Sequence, residues 1–131
     1  MLISIDTASE RPLYAQIADG VRRSVASGAL SPGERLPPAA EIAASLGVNK
    51  HTVLHAYQAL RDERLVELRR GRGAVVTALA SEVVALQVEA SAIAERARAL
   101  GVSVHTLLAL FDEIPATTAT VVAAAREGAA R

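Results

Sequence analysis

The stretch that decides the fold, residues 47–73, reads GVNKHTVLHAYQALRDERLVELRRGRG. It contains a glycine, a short polar segment, an amphipathic helix and then a basic hairpin whose tip holds two further glycines. Gly47 suits a sharp turn because glycine enters left-handed backbone conformations at little cost. This order of features predicts a helix-turn-helix followed by a β wing, an arrangement that grips duplex DNA in two places.

The two helices of this motif are predicted from the spacing of their apolar residues. The first covers residues 39–46, where Ile42, Ala43 and Leu46 share one face. The second begins after Asn49, whose side chain can cap it by accepting a hydrogen bond from the amide of His51 or Thr52. It runs to about residue 63, and its buried face is formed by Val53, Ala56, Tyr57 and Leu60.

Three side chains at the start of the second helix are candidates for reading DNA. In a helix-turn-helix, the first residues of the second helix reach base edges in the major groove. Here those residues are Lys50, His51 and Thr52. Their donors suit guanine or phosphate oxygens, and the free amides at the helix start add affinity for phosphate.

The hairpin is predicted as strands at residues 65–69 and 74–77 around a basic tip. The tip residues are Arg69, Arg70, Gly71 and Arg72. Arginine on a glycine-rich tip suits a narrow minor groove or the flanking phosphates. The alternative is a solvated hairpin with arginines for solubility, but its position directly after a helix-turn-helix favours DNA contact.

Further helices are predicted on both sides. Pro12 suits a first helical turn, and Leu13, Ile17, Val21 and Val25 recur every fourth residue up to the stop at Gly28. After Thr77, apolar residues recur at alternating intervals of three and four, which is the spacing of a helix that packs on another helix. A second helix follows, capped by Ser103. Together the two helices predict a helical dimerisation hairpin. The residues assigned to the interface are Val83, Leu86, Ala90, Ile93, Ala97, Leu100, Leu107 and Phe111. A helical lid over the chain's own core is the alternative, and residues 115–131 are open between a short helix and a frayed tail.

With these motifs in place, residues 12–76 resemble the winged-helix domain of the GntR family of bacterial transcription regulators. Pro12–Ile17 is similar to the first helix of that family and Gly28–Pro37 to its loop and short strand. The recognition helix is matched by Leu46–Lys50, Thr52-Val53 and Ala56–Leu60, and the wing by Gly71–Gly73. Ala56-Tyr57 and the short C-terminal region are similar to the YtrA-like branch. The resemblance implies a mainly α fold with a small β wing, with Arg35 and Asn49 joining the DNA-binding residues.

The chain departs from the family pattern at the proposed interface. Relatives usually carry serine, an acidic residue and arginine where this chain has Pro38, Ala39 and Ala40, and they often carry arginine where it has Leu54. A glycine commonly follows the recognition helix, where this chain has Arg64. A left-handed arginine would cost about 1–2 kcal/mol. These replacements weaken the case for direct base readout.

Composition excludes several other classes. The 131 residues carry 14 basic and 14 acidic side chains, with a small basic excess of 10 to 8 in residues 1–77, and cysteine is absent. We expect no signal peptide, no membrane span and a cytoplasmic location. His51 and His55 have the spacing of a metal pair but lack a third ligand, so neither a metal, a cofactor nor a catalytic residue is predicted.

The sequence therefore predicts a homodimeric winged-helix repressor of inverted-repeat DNA, with a DNA-binding domain at residues 1–77 and a dimerisation region at residues 78–131. The alternative is a winged-helix protein-interaction module with weakened DNA binding. A small-molecule effector is not indicated, because two helices this short cannot enclose a pocket of about 300 Å³ within one chain. Small-molecule sensing is a third possibility, and it would require a pocket formed between protomers.

Overall fold

A computed structural model describes residues 1–115 of the chain. The elements in order are α1 (Leu13–Ala26), α2 (Ala39–Leu46), α3 (Lys50–Asp62), β1 (Val66–Arg69), β2 (Gly73–Val76), α4 (Leu79–Ala99) and α5 (Val104–Asp112). Five helices and one two-stranded antiparallel sheet confirm the predicted winged helix-turn-helix followed by helices. The helix or frayed tail considered for the C-terminal end falls beyond residue 115, outside the described residues.

The core forms where α1 and α2 pack against α3. In α1, every fourth residue from Ile17 onwards (Ile17, Val21 and Val25) is fully buried, as the periodicity predicts. The apolar face of α3 meets them, and burying these two faces stabilises the fold by removing apolar surface from water. The buried apolar residues of the first three helices are Ile17, Ala18, Val21, Val25, Ala39, Ala43, Val53, Ala56, Tyr57 and Leu60.

The turn between α2 and α3 has the predicted chemistry. Gly47 ends α2 with φ +67°, in the left-handed region where a side chain would be strained. The Asn49 side chain then accepts a hydrogen bond of 2.8 Å from the amide of His51, which confirms the cap. The turn and the cap therefore determine where α3 begins.

A third segment pairs with the two strands of the wing, and the sequence pattern did not predict this pairing. β1 and β2 pair antiparallel with Arg69 opposite Gly73. β1 ends at Arg69 as predicted but begins one residue later than expected, and β2 lies one residue earlier than expected. Residues 34–36 then pair with β2: the Leu36 amide donates to the Ala74 carbonyl and the Val76 amide to the Glu34 carbonyl, both at 2.8 Å. This pairing holds the wing against the segment that leads into α2.

The N-terminal segment packs on α1 through a glycine. The side chains of Ile3 and Ile5 lie against the core. A Cβ added to Gly20, in the middle of α1, would stand 3.0 Å from Cγ1 of Ile3. The Gln16 side chain also holds this segment, since its oxygen accepts from the Asp6 amide at 2.7 Å and its nitrogen donates to the Asp6 carbonyl at 3.0 Å.

Charged side chains join α1 to the end of α3. The Asp19 carboxylate accepts hydrogen bonds from Arg11 and Arg22, and Arg22 also donates to Glu63 through two nitrogens, at 2.9 and 2.8 Å. Burial alone would raise the pKa of Asp19, but the hydrogen bonds from the two arginines outweigh it, so the pKa is lowered. The hydrogen bond that Arg22 donates to Glu63 is the largest cause of the raised pKa of Arg22.

The described part of the chain divides into two compact units, residues 1–89 and a second unit that begins at residue 90. In the first unit, Ala80 at the start of α4 is buried and Val83 packs against the core. In the second, the Ser103 hydroxyl accepts a hydrogen bond of 3.2 Å from the Thr106 amide, which confirms the predicted cap of α5. None of the helices described within residues 1–115 is long and apolar enough to cross a membrane.

One hydrogen bond connects α3 to the start of α2, and we expect its loss to be measurable. The hydroxyl of Tyr57, a residue only 4% exposed, donates to the Pro37 carbonyl at 2.6 Å. Tyr57→Phe should lower the free energy of unfolding by about 1–2 kcal/mol, because the carbonyl loses its partner. Chemical denaturation measures the change. Tyr14→Phe is the matched control and should change stability little.

Wild type and Tyr57→Phe should also differ in how their stability responds to alkaline pH. Burial raises the pKa of Tyr57 from 10.0 to about 12, and the negative charge of Glu41 adds to this increase. A group with a raised folded-state pKa contributes stability that is present below its unfolded pKa and lost as the pH rises. The difference between wild type and Tyr57→Phe should therefore shrink between pH 10 and 12; a constant difference contradicts this origin.

Arg64, between α3 and β1, has φ +66°, so the left-handed arginine considered from the sequence is present. Arg64→Gly should raise the free energy of unfolding by about 1 kcal/mol, since glycine adopts this conformation without strain. In the matched control Arg61→Gly, the glycine replaces a helical residue of α3 and should destabilise by about 1 kcal/mol. Thermal denaturation of both variants measures the changes, and a destabilised Arg64→Gly would contradict the strain.

Candidate nucleic-acid interface

The first turn of α3 presents polar side chains to solvent. Lys50 and His51 are exposed, whereas Thr52 is half-buried. Asn49 uses its side-chain oxygen in the cap, so only its amide nitrogen remains to donate to another group. Of the four residues predicted to contact DNA at this helix end, Asn49, Lys50 and His51 are thus exposed, and the Asn49 oxygen is already bonded in the cap.

The wing tip presents two arginines without an ion pair among the described residues. Gly71 and Gly73 adopt φ +81° and +74°, and the Arg72 amide donates to the Arg69 carbonyl at 3.1 Å to close the turn. Arg70 and Arg72 lie in this turn and are exposed. The guanidinium of Arg69 instead lies 2.9 Å from the carboxylate of Glu67, on the same strand, which partly neutralises it.

A groove of about 380 Å³ lies between α3, the wing and the segment that leads into α2. Its basic lining residues come from two parts of the chain: Arg35 from the edge next to β2, and Arg69, Arg70 and Arg72 from the wing. None of the residues that line it is acidic. The full lining is Arg35, Leu36, Pro37, Pro38, Ala39, Leu54, Tyr57, Leu68, Arg69, Arg70, Arg72, Gly73 and Ala74.

The structure thus separates the predicted DNA-binding residues into two sets. Arg35 and the three wing arginines share the groove, with Gly71 at the adjoining tip, whereas residues 49–52 lie on the first turn of α3 and do not line it. Sequence reasoning noted Leu54 at the interface only as the replacement of an arginine common in relatives, and it did not place Leu68 there. Leu54 is 36% exposed and Leu68 41% exposed. The signal for Leu68 was weak, because it is a single apolar residue between Glu67 and Arg69 in a strand.

A second depression, of about 640 Å³, adjoins the wing and is lined by Arg61, Arg64, Arg69 and Arg72 among others. Its positive charge is partly compensated. Arg61 pairs with the neighbouring Asp62 at 3.3 Å, and Glu67 also lines the depression. It is therefore a weaker candidate for binding an anion than the groove.

The histidines do not form a metal site in the described part of the chain. The ring of His55 stacks on Tyr14 of α1, with centroids 3.7 Å apart and planes 18° from parallel. This contact gives His55 a packing role at the surface between α1 and α3. Within residues 1–115, no three or more His, Asp or Glu side chains are grouped closely enough to hold a metal ion.

The predicted dimerisation residues differ in their surroundings. Val83 lies against the core, Ala97 and Leu107 are half-buried, and Ala90 is exposed. The large apolar side chains of the set remain accessible to solvent: Leu86 is 61% exposed, Ile93 45%, Leu100 70% and Phe111 48%. So much exposed apolar side-chain surface is typical of a protein–protein contact.

Comparison with known proteins agrees with this geometry. Residues 13–76 match the family described as bacterial regulatory proteins, gntR family. The chain is 36% identical to the transcriptional repressor YtrA of Bacillus subtilis over 76 residues, and this alignment covers 58% of each protein. It is 31% identical over 113 residues to the transcriptional regulator Rv1152 of Mycobacterium tuberculosis, which covers 86% of this chain and 93% of that protein.

Solved structures show the same fold. YtrA from Sulfolobus acidocaldarius, described as a GntR-family transcription factor, superposes with a TM-score of 0.56 at 37% identity, over 70% of this chain and 99% of that one. The DNA-binding domain of AraR in complex with operator ORX1 superposes with a TM-score of 0.52 at 26% identity, over 57% and 93% of the two chains. The fold, the basic groove and these matches together show that the chain is a DNA-binding helix-turn-helix regulator and belongs to the GntR family of bacterial regulatory proteins.

Proposed function

We propose that this chain is a homodimeric transcriptional repressor that binds inverted-repeat operator DNA. The observation that carries the proposal is the arginine-lined groove between α3 and the wing. Four arginines and no acidic residue line this groove, beside the exposed Lys50 and His51 at the start of α3. Such an arrangement suits a polyanion that is contacted by a helix and a wing together.

Within this proposal the contacts divide between the two grooves of DNA. Lys50, His51 and Thr52 contact the major groove, with Asn49 beside them on a phosphate. Arg70 and Arg72, on the Gly71 tip, enter the minor groove or contact its phosphates. Arg35 and Arg69 line the path between these two contacts and add charge to it. The AraR domain bound to its operator supports duplex DNA as the partner.

The assignment of residues 1–77 to DNA binding and 78–131 to dimerisation belongs to the same proposal. A closed dimer presents two identical surfaces related by a two-fold axis, which matches an inverted repeat. The exposed Leu86, Ile93 and Leu100 follow each other at intervals of seven residues along and just beyond α4, as a helix-to-helix contact requires. The proposed ligand is bacterial chromosomal DNA, which lies in the cytoplasm, so the proposal includes a cytoplasmic location.

The proposed contacts of Lys50 and Arg72 offer a direct test of DNA binding. Fluorescence anisotropy with DNA from the region upstream of the chain's own gene would compare wild type with the double variant Lys50→Ala/Arg72→Ala at several salt concentrations. We expect at least about tenfold weaker binding. If both side chains contact phosphate, the salt dependence should fall by about two in slope, because each lost contact removes about 0.9.

The matched control removes two charges elsewhere. Arg96→Ala/Arg98→Ala changes the last turn of α4 and should leave DNA affinity close to that of wild type. Equal losses in both double variants would indicate a general charge effect and contradict the interface. Unchanged affinity in Lys50→Ala/Arg72→Ala would favour the alternative of a protein-interaction module.

The dimer is tested by placing a charge in the apolar seam of α4. Ile93→Asp should shift the protein from dimer to monomer in sedimentation velocity, because a carboxylate loses hydration when it is buried in an interface. Val88→Asp is the matched control, since Val88 is 68% exposed on the same helix but outside the heptad positions. A monomeric wild type, or dissociation by both variants alike, would contradict this interface.

A further inference from the structure

The groove that adjoins the first turn of α3 contains an exposed leucine that DNA binding by charge alone does not explain. Leu54 lies one helical turn after Lys50 and is 36% exposed. At 100° per residue, it projects about 40° from Lys50 and about 60° from His51, on the stripe between them. It therefore occupies a position on α3 from which a side chain can reach the same ligand as these two residues.

Leu54 is the apolar member of a strongly basic surface. It lines the groove together with Leu68 and Pro38, while Arg35, Arg70 and Arg72 line it with positive charge. The absence of any acidic lining residue makes this surface complementary to a polyanion and unfavourable for a basic partner. Its ligand must therefore combine many negative charges with an apolar group that meets the leucine.

Duplex DNA offers one such group in the major groove. Among the base edges exposed there, only thymine presents a methyl group, whereas the other edges present hydrogen-bond donors and acceptors. Contact between an aliphatic side chain and this methyl removes apolar area from water, which polar edges do not allow. A buried leucine beside a cytosine or guanine would instead leave a base donor or acceptor without its partner.

We propose that Leu54 is a specificity-determining residue that recognises the methyl group of a thymine in the operator. The proposal rests on the DNA-binding function proposed above and adds to it a base preference at one position. It implies that the chain reads this position through apolar contact, in a place where a basic side chain would read guanine or phosphate.

Selection of binding sites from a random duplex pool by the full chain tests the preference. Wild type should enrich thymine at a position where Leu54→Ala shows no preference, while preferences at other positions persist. Leu54→Arg should shift the same position towards guanine. Leu79→Ala is the matched control, because Leu79 is 39% exposed at the start of α4, outside the groove, and its selected sites should equal those of wild type.

A second measurement isolates the methyl group. Replacing the selected thymine by deoxyuridine removes only the methyl, so affinity for wild type should fall about threefold to fivefold. Leu54→Ala should bind both duplexes equally, provided that circular dichroism shows the wild-type helix content. This comparison is a double-mutant cycle between one side chain and one methyl group.

The outcomes separate the two proposals. Enriched sites without a Leu54-dependent thymine, or a deoxyuridine effect of equal size in wild type and Leu54→Ala, would overturn this inference and leave the proposed DNA-binding function standing. Failure of wild type to enrich any sequence would overturn sequence-specific DNA binding itself, and the inference with it.

Discussion

The helix α3 is enclosed along one side by α1 and α2, and its residues Val53, Ala56 and Leu60 have no solvent-accessible surface. Because α3 is rigid, burying this side decides which side chains remain on the opposite one. Lys50, His51 and Leu54 are exposed as a consequence. The core face and the stripe that we propose to face DNA are thus opposite sides of the same helix, and neither can be rotated without the other.

The wing depends on this packing through backbone contacts. Arg64 lies just after α3 in a left-handed conformation, and its carbonyl accepts a hydrogen bond of 2.7 Å from the hydroxyl of Thr77. Residues 34–36 pair with β2 on the other side. Since the wing is held both at its base and along its edge, the arginines at its tip keep a defined position relative to the start of α3.

Local sequence signals predicted the helices and turns, and these predictions were confirmed. Periodicity located α1 and α3, Asn49 was identified as a cap, and the unusual Arg64 was noted from its position after α3. Contacts between distant parts of the chain were not predictable in the same way. The pairing of residues 34–36 with β2 and the Arg22–Glu63 ion pair, 41 residues apart, depend on how the helices pack.

The candidate site shows the same division. Its basic tip follows directly from the sequence of the wing, and the residue types at the start of α3 suggested major-groove contact. Whether each charge is free depends on its neighbours: Arg69 is paired with Glu67, whereas Arg70 and Arg72 form no ion pair within the described residues. The gathering of Leu54, Leu68 and Pro38 into one groove required the three-dimensional fold, because they belong to separate elements.

The glycine in the middle of α1 has a consequence for evolution and engineering. Replacing a helical glycine with alanine ordinarily strengthens a helix by about 1 kcal/mol. At Gly20, the added methyl would stand 3.0 Å from Ile3, closer than ordinary packing allows. An alanine at this position would gain helix propensity only if the Ile3 side chain moved by a few tenths of an ångström. The packing of the N-terminal segment, and not helix propensity alone, therefore sets the effect of a substitution in the middle of α1.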